Sequence, residues 1–290
     1  MRELKTHNVT DAVLQTMSKT DNPRLLEVMT SLIQHVHAFV REVELKPEEW
    51  AQAIAFLTRV GEKTSPDRNE FILASDILGI SSLVDLINQP DASGATTSSL
   101  LGPFYTDGVR METIAPGADL IGDNPGEPVL VLGRVTRTDG TPIPGARLEI
   151  WQNASNGLYE SEDPDQPEGN LRGKMQTDEE GRYRFTTTKP VAYTVPYDGP
   201  VGELLQNMGR HAWRPAHIHF RISAPGYQPL VTELFVADDP YIDEDAVFGV
   251  RNSLVVPFKR LESSEEAKSY DVQPGYCLVA FDFALQPCHS

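Results

Sequence analysis

The chain has 290 residues, with 25 Lys+Arg against 42 Asp+Glu, a formal charge of −17, and 40% hydrophobic residues. That length allows one large domain or two smaller ones, with ample chain to bury a core. So acidic a chain repels phosphate backbones and anionic headgroups, which argues against nucleic-acid and membrane-surface partners and in favour of small molecules.

No apolar run approaches the roughly 18 residues that a membrane helix needs. The stretch from Met1 to Lys5 lacks the apolar segment of a secretory signal. Cys277 and Cys288 are too few for a disulfide framework and too far apart for a zinc knuckle. The expectation is a soluble, cytoplasmic protein whose metal, if it has one, uses other ligands.

Helical periodicity dominates the N-terminal part. Asn22-Pro23 offers an N-cap followed by proline at the first helical position, and Leu26, Met29, Ile33, Val36 and Val40 recur at three- and four-residue steps. A second helix is predicted from Pro47, with Trp50, Ile54, Leu57 and Val60 on one face. A third opens at Ser65-Pro66, carries Phe71, Ile72 and Ser75 to Leu78, and ends at Gly79. From about Gly94 the texture changes to short alternating runs between Gly and Pro. Val129 to Val135, Ala146 to Trp151, His217 to Ile222 and Cys277 to Leu285 read as strands, with turns at Asp139-Gly140 and Pro144-Gly145. In the last run Cys277, Val279, Phe281 and Phe283 share a face. Glu160 to Gly169 and Glu262 to Lys268 read as solvated loops. The fold class is therefore α+β: a helical N-terminal domain over residues 1–95, followed by an antiparallel β-sandwich over residues 96–290.

Four of the 7 His form two His-x-His pairs, His35/His37 and His217/His219. On a helix, residues two apart project about 200° from each other, so His35 and His37 cannot easily grip one ion. On a strand, residues two apart share a face, so His217 and His219 point together. They are either a metal-binding pair or two core histidines satisfied by backbone. Tyr159, Tyr193 and Tyr197 are packed aromatics or, as phenolates, hard anionic donors suited to ferric iron. A zinc hydrolase on His217, His219 and a carboxylate such as Glu233 is a rival reading. So is a transthyretin-like binding module, suggested by Gly133-Arg134-Val135, Gly140 and Pro144-Gly145-Ala146.

The run Gly209-Arg210-His211-Ala212-Trp213-Arg214-Pro215-Ala216-His217-Ile218-His219-Phe220, with Asn156-Gly157-Leu158-Tyr159 and Tyr193 to Pro200, resembles the intradiol ring-cleavage dioxygenases. That resemblance spans most of the chain. It implies one non-haem Fe(III) per subunit on Tyr159, Tyr193, His217 and His219. Tyr193 would leave the iron and accept a proton as substrate binds, while Arg214 stabilises charge developing on the ring. Leu73-Ala74-Ser75-Asp76, Leu101-Gly102-Pro103-Phe104 and Val247-Phe248-Gly249-Val250-Arg251 are closest to the hydroxyquinol-cleaving branch. Catechol-cleaving relatives commonly carry proline where Asp76 stands and glutamine where Glu233 stands. The pocket implied is Leu73, Asp76, Leu101, Gly102, Pro103 and Phe104. The substrates implied are an aromatic diol or triol and O2, in aromatic catabolism, with catechol as the alternative substrate. A homodimer through the N-terminal helices is implied too, with an apolar tunnel between subunits where a lipid can lodge.

Overall fold

The computed structural model describes residues 3–89, 94–106 and 110–288. Contacts divide the chain into two compact units, Met1–Arg59 and Val60–Ser290.

The first unit holds α1 (Val9–Thr16), α2 (Pro23–Glu42) and most of α3 (Pro47–Lys63). Asn22 caps α2 by accepting from Leu25 N at 3.0 Å, with Pro23 at the first turn. Thr10 ties α1 to α2, bonding His37 Nδ1 at 3.1 Å and accepting from Arg41 Nη1 at 3.0 Å. His37 thus makes a helix–helix contact, while His35 is exposed.

In the second unit, α4 (Glu70–Ile77) starts later than the sequence suggests. Ser65 N donates to Arg68 O at 2.9 Å, closing a tight turn that takes up the Ser65-Pro66 start signal, and Asn69 caps the helix through Ile72 N. Gly79, at φ +71°, ends α4 as expected, but it also opens α5 (Ile80–Asn88), which the pattern did not reveal.

The strands follow in chain order: β1 (Ala118–Asp119), β2 (Pro128–Arg137), β3 (Arg147–Trp151), β4 (Arg172–Gln176), β5 (Arg182–Thr188) and β6 (Tyr193–Thr194). After α6 (Pro200–Asn207) come β7 (Trp213–Arg214), β8 (His217–Ser223), β9 (Leu230–Val236), β10 (Val255–Val256) and β11 (Lys259–Arg260). After α7 (Ser264–Ser269), β12 (Cys277–Ala280) and β13 (Phe283–Leu285) close the described chain. One sheet has the order β1-β5-β2-β12-β11, with β13 also on β2; the other has the order β10-β9-β8-β3-β4; β6 and β7 form a separate ribbon. The long ladders β2·β5, β3·β4, β3·β8 and β8·β9 are antiparallel, whereas β12 and β13 run parallel to β2. The predicted strand from Cys277 to Leu285 keeps its alternation but breaks in two, because the Phe281 carbonyl accepts from Tyr183 Oη and the Asp282 carboxylate from Arg134 N.

Val131, Leu148, Ile150, Phe185, Phe220 and Phe283 belong to one buried cluster made by both sheets. The segment Glu160 to Gly169 is not uniformly solvated: Glu160 is buried against Arg172. Glu262 to Lys268 is likewise more than a loop, since most of it is taken up by α7, capped by Ser263, with Ala267 buried.

Candidate metal centre

Strand β8 has two buried faces. Ile218, Phe220 and Ile222 enter the core cluster, so the intervening His217 and His219 emerge on the other side of the sheet, each 2% exposed. Their Nε2 atoms are 3.1 Å apart. His217 Nδ1 is 2.7 Å from Pro215 O, the acceptor that fixes it as the protonated nitrogen and leaves the Nε2 lone pair directed inward. Two nitrogens bound to one ion at about 2.1 Å and at a right angle would be about 3 Å apart, so this spacing suits a shared cation.

The two tyrosines arrive on separate elements. After β3, Gly157 N donates to Ala154 O and Ala154 N to Leu158 O, and this turn delivers Tyr159. Tyr193 lies in β6, directly opposite Arg214 in β7. Ring centres are 5.6 Å apart for Tyr159 and Tyr193, 6.4 Å for Tyr159 and His219, and 5.6 Å for Tyr193 and His217. Tyr197 is 42% exposed and Tyr193 4%, so only the latter joins the cluster. The Tyr159 hydroxyl is buried with no hydrogen-bond partner among the described residues.

Burial sets the protonation states. It pushes the Tyr159 phenol well above its usual range, and Tyr193 up to about 12. It lowers His217 to about 4 and holds His219 well below its usual range, so both imidazoles are neutral donors. A buried, orphaned phenol beside two neutral imidazoles fits a trivalent cation that would turn the phenols into phenolates, and the set therefore suits Fe(III).

Around these donors lies a buried ionic network. Arg214 Nη1 donates to Glu233 Oε1 at 2.9 Å, while its Nε and Nη2 reach Asp245 at 3.0 and 3.2 Å. Although burial works against its charge, Asp245 and Glu233 hold Arg214 well above its usual range and therefore protonated. Ser99 Oγ donates to Glu233 Oε2 at 2.5 Å. Glu233 Oε1 is also 3.3 Å from His217 Nε2 and 3.4 Å from His219 Nδ1. His217, His219 and Glu233 form a grouping able to hold a metal among the described residues. Yet the commitments of Glu233 to Arg214 and Ser99 make it a support of the centre rather than a free ligand.

Of the residues expected to line a pocket, the run from Leu101 to Phe104 is close by. Phe104 stacks on Tyr159 with ring centres 4.5 Å apart, and Leu101 packs on the same cluster. Gly102 sits at φ +74°, a backbone angle that favours glycine, and a Cβ there would rest in van der Waals contact with His219 Cε1 at 3.4 Å. Pro103 is buried, and its carbonyl accepts from Asn69 N at the start of α4. On α4, Leu73 and Asp76 are buried. Burial pushes the Asp76 carboxyl up to about 6; Ser81 and Arg214 oppose the shift, Glu233 and Asp245 add to it, and this places Asp76 within the field of the Arg214 network.

Sequence reasoning missed Trp151, which stacks on His219 at 4.7 Å and 5°. It also missed Ser99, Asp245 and Arg172. The strand alternation of β3, with Leu148 and Ile150 on one face, was a usable signal for Trp151; nothing local marked the others.

Comparison with known proteins accords with this geometry. Residues 100–287 match the family model described as Dioxygenase, and residues 22–96 the one described as Catechol dioxygenase N terminus. The chain belongs to the intradiol ring-cleavage dioxygenase family. It is 46% identical to a hydroxyquinol 1,2-dioxygenase of Rhizobium sp. (strain MTP-10005), over 95% of this chain and 93% of that protein. It is 44% identical to a 6-chlorohydroxyquinol 1,2-dioxygenase of Cupriavidus pinatubonensis, over 99% of each. A crystal structure of hydroxyquinol 1,2-dioxygenase from Pseudomonas putida DLL-E4 superposes with a TM-score of 0.86 at 44% identity, covering 98% of this chain and 99% of that one. Family membership replaces the zinc-hydrolase and transthyretin-like readings. Among the described residues no helix is long and apolar enough to cross a membrane.

Proposed function

We propose that the protein is an intradiol dioxygenase that cleaves hydroxyquinol (benzene-1,2,4-triol) with O2. The bond between the two adjacent hydroxyl-bearing carbons breaks and both oxygen atoms enter the product, 3-hydroxy-cis,cis-muconate or its tautomer maleylacetate. The observation that carries the reading is the convergence of Tyr159, Tyr193, His217 and His219 in one buried cluster, with the acidic Asp76 close to it. Ferric iron, bound by these four side chains, would act as a Lewis acid for the diol and mediate its reaction with O2.

The remaining work falls to the chain. Tyr193, held opposite Arg214, would be an iron ligand whose phenolate oxygen, Oη, could take a proton from a substrate hydroxyl. Tyr159, pinned between Phe104 and its own turn, stays in place, as do the two imidazoles. Arg214, kept charged and fixed by Asp245 and Glu233, donates hydrogen bonds toward negative charge on the substrate. Leu73, Leu101, Gly102, Pro103 and Phe104 exclude water and set the ring plane. Asp76 accepts the third hydroxyl; catechol lacks that donor and leaves a buried carboxylate with Ser81 but without its substrate partner, which a site of this kind penalises.

Oxygen uptake and the specificity constants for hydroxyquinol and catechol test this in wild type and Asp76→Pro, alongside metal analysis. Iron near one per chain, hydroxyquinol preferred, and a ratio that collapses in the variant are expected. A protein that holds zinc, or a preference for catechol, overturns the reading.

Assembly belongs to the same proposal. Residues 1–95 serve as a dimerisation domain and 96–290 as the catalytic domain: α2 leaves Leu25, Leu32, Val36 and Phe39 exposed and α3 leaves Trp50 and Ile54, apolar surface that a second subunit would cover. A lipid seated between subunits would cover part of it. Sedimentation at twice the 32.1 kDa chain mass is expected. Free thiols at Cys277 and Cys288 suit the reducing cytoplasm.

A further inference from the structure

Arg172 opens β4 with its side chain fully buried, and its Nε donates to Glu160 Oε1 at 2.7 Å. Its terminal nitrogens, Nη1 and Nη2, have no hydrogen-bond partner among the described residues, and neither does Glu160 Oε2. Taking an ion pair out of water is costly when its remaining donors and acceptors go unmet, and apolar residues of similar volume would fill such a space at less cost. Stability alone therefore does not account for the pair.

Its placement suggests what does. The guanidinium carbon lies 5.8 Å from the centre of the Tyr159 ring, and Glu160 follows Tyr159 directly in the chain. In the sheet register Arg172 is the cross-strand partner of Trp151, Trp151 that of His219, and His219 that of Glu233. One row of buried side chains thus runs from the Arg172–Glu160 pair through the Trp151–His219 stack to the Glu233–Arg214 network. A cation within about 6 Å of an aromatic face is attracted to it. The attraction strengthens when the ring carries a full negative charge in surroundings of low dielectric.

We infer that Arg172 is a positioning residue for the iron centre: it fixes the Tyr159 ring and draws electron density from its phenolate oxygen, and Glu160 sets how much of that positive charge Tyr159 feels. The inference rests on the reading of Tyr159 as an iron ligand. Arg172 acts only through Tyr159. A phenolate that donates less leaves the metal more electron-poor and strengthens its hold on an anionic diol.

The test is the visible spectrum of the purified, iron-containing protein, in which phenolate-to-iron charge transfer gives a band whose energy reports phenolate donation. Arg172→Met keeps much of the volume and removes the cation, so the band moves to longer wavelength. Arg172→Lys restores it toward the wild-type position. Glu160→Gln leaves the cation less balanced and moves the band the opposite way, to shorter wavelength. A packing role would move neither band, or would move both in one direction; either result, with iron bound, overturns the inference. If Arg172→Met does not fold, the sign of the Glu160→Gln shift decides by itself. A colourless, iron-free wild type removes the reading of Tyr159 as ligand, and this inference with it. A coloured wild type whose variants keep its band removes this inference alone.

Discussion

Along β8, Ile218, Phe220 and Ile222 enter the core between the sheets, whereas His217 and His219, one step out of phase, enter a second buried region that holds Arg214, Glu233 and Asp245. The first face is made of hydrocarbon that needs no partners; its contribution scales with area removed from water. The second is buried as well but fills the space with charges and donors, each of which must be met by a partner or by a ligand. Where the partners suffice, as for Glu233 between Arg214 and Ser99, the network is closed by protein. Where they do not, as for the Tyr159 hydroxyl, the shortfall marks the place for something the chain does not itself provide. The comparison teaches that on one strand stability and chemistry can be separated by a single residue.

The sharpest way to break the comparison is to cross it. His219→Ala removes a donor from the second face without opening the core, so ring cleavage and iron binding should be lost while the thermal unfolding midpoint of the metal-free protein changes little; calorimetry together with metal analysis checks this. Phe220→Ala does the reverse, deleting a ring packed against Phe185 and Phe283. A cost of about 3–5 kcal/mol in denaturant unfolding is expected, with the iron content of whatever remains folded unchanged. Equal effects of the two variants on stability would erase the distinction between the faces.

A smaller effect comes from Asp76. Its carboxyl, pushed up to about 6 from a usual 3.8, holds its proton more firmly in the folded state than in the unfolded one. The stabilisation this brings is fully present below about pH 3.8 and is lost as pH rises through 6. Relative to wild type, Asp76→Asn should therefore gain stability between pH 4 and pH 8, by up to about 3 kcal/mol on the linkage arithmetic. Unfolding curves of both proteins at the two pH values measure it, and parallel behaviour would show that the carboxylate is already compensated.

The smallest effect belongs to Gly102. Replacement by Ala forces a side chain into a left-handed backbone position and sets a methyl group in van der Waals contact with His219. About 1 kcal/mol of destabilisation is expected, together with a raised KM where a purely conformational cost would leave KM alone.

Much of this was legible in the sequence. Asn22-Pro23 fixed the start of α2 because a cap and a proline act within a few residues of themselves. The period of two placed His217 and His219 on one face because it needs nothing beyond the strand. The family motif, in turn, separated Tyr193 from Tyr197; the former is buried and the latter exposed. What failed was of another kind. Ser65-Pro66 looked like a helix start but closes a turn, since Asn69 offers a better cap four residues on. Glu160 looked like part of a solvated acidic loop, because a carboxylate beside prolines gives no local sign of an arginine twelve positions away that will bury it. The same holds for Asp245 and Ser99, whose meaning lies in Arg214 and Glu233.

The sequence by itself therefore determined several of the elements, the shared face of the histidine pair and, through its motifs, the class of chemistry, since periodicity, caps and motif spacing are properties of neighbouring residues. Only the tertiary structure decided which charges are buried together, because the row from Arg172 through Trp151 and His219 to Glu233 exists only once four strands take their register. Electrostatic and packing energies depend on distance through space, and the chain order does not encode that distance in any local pattern.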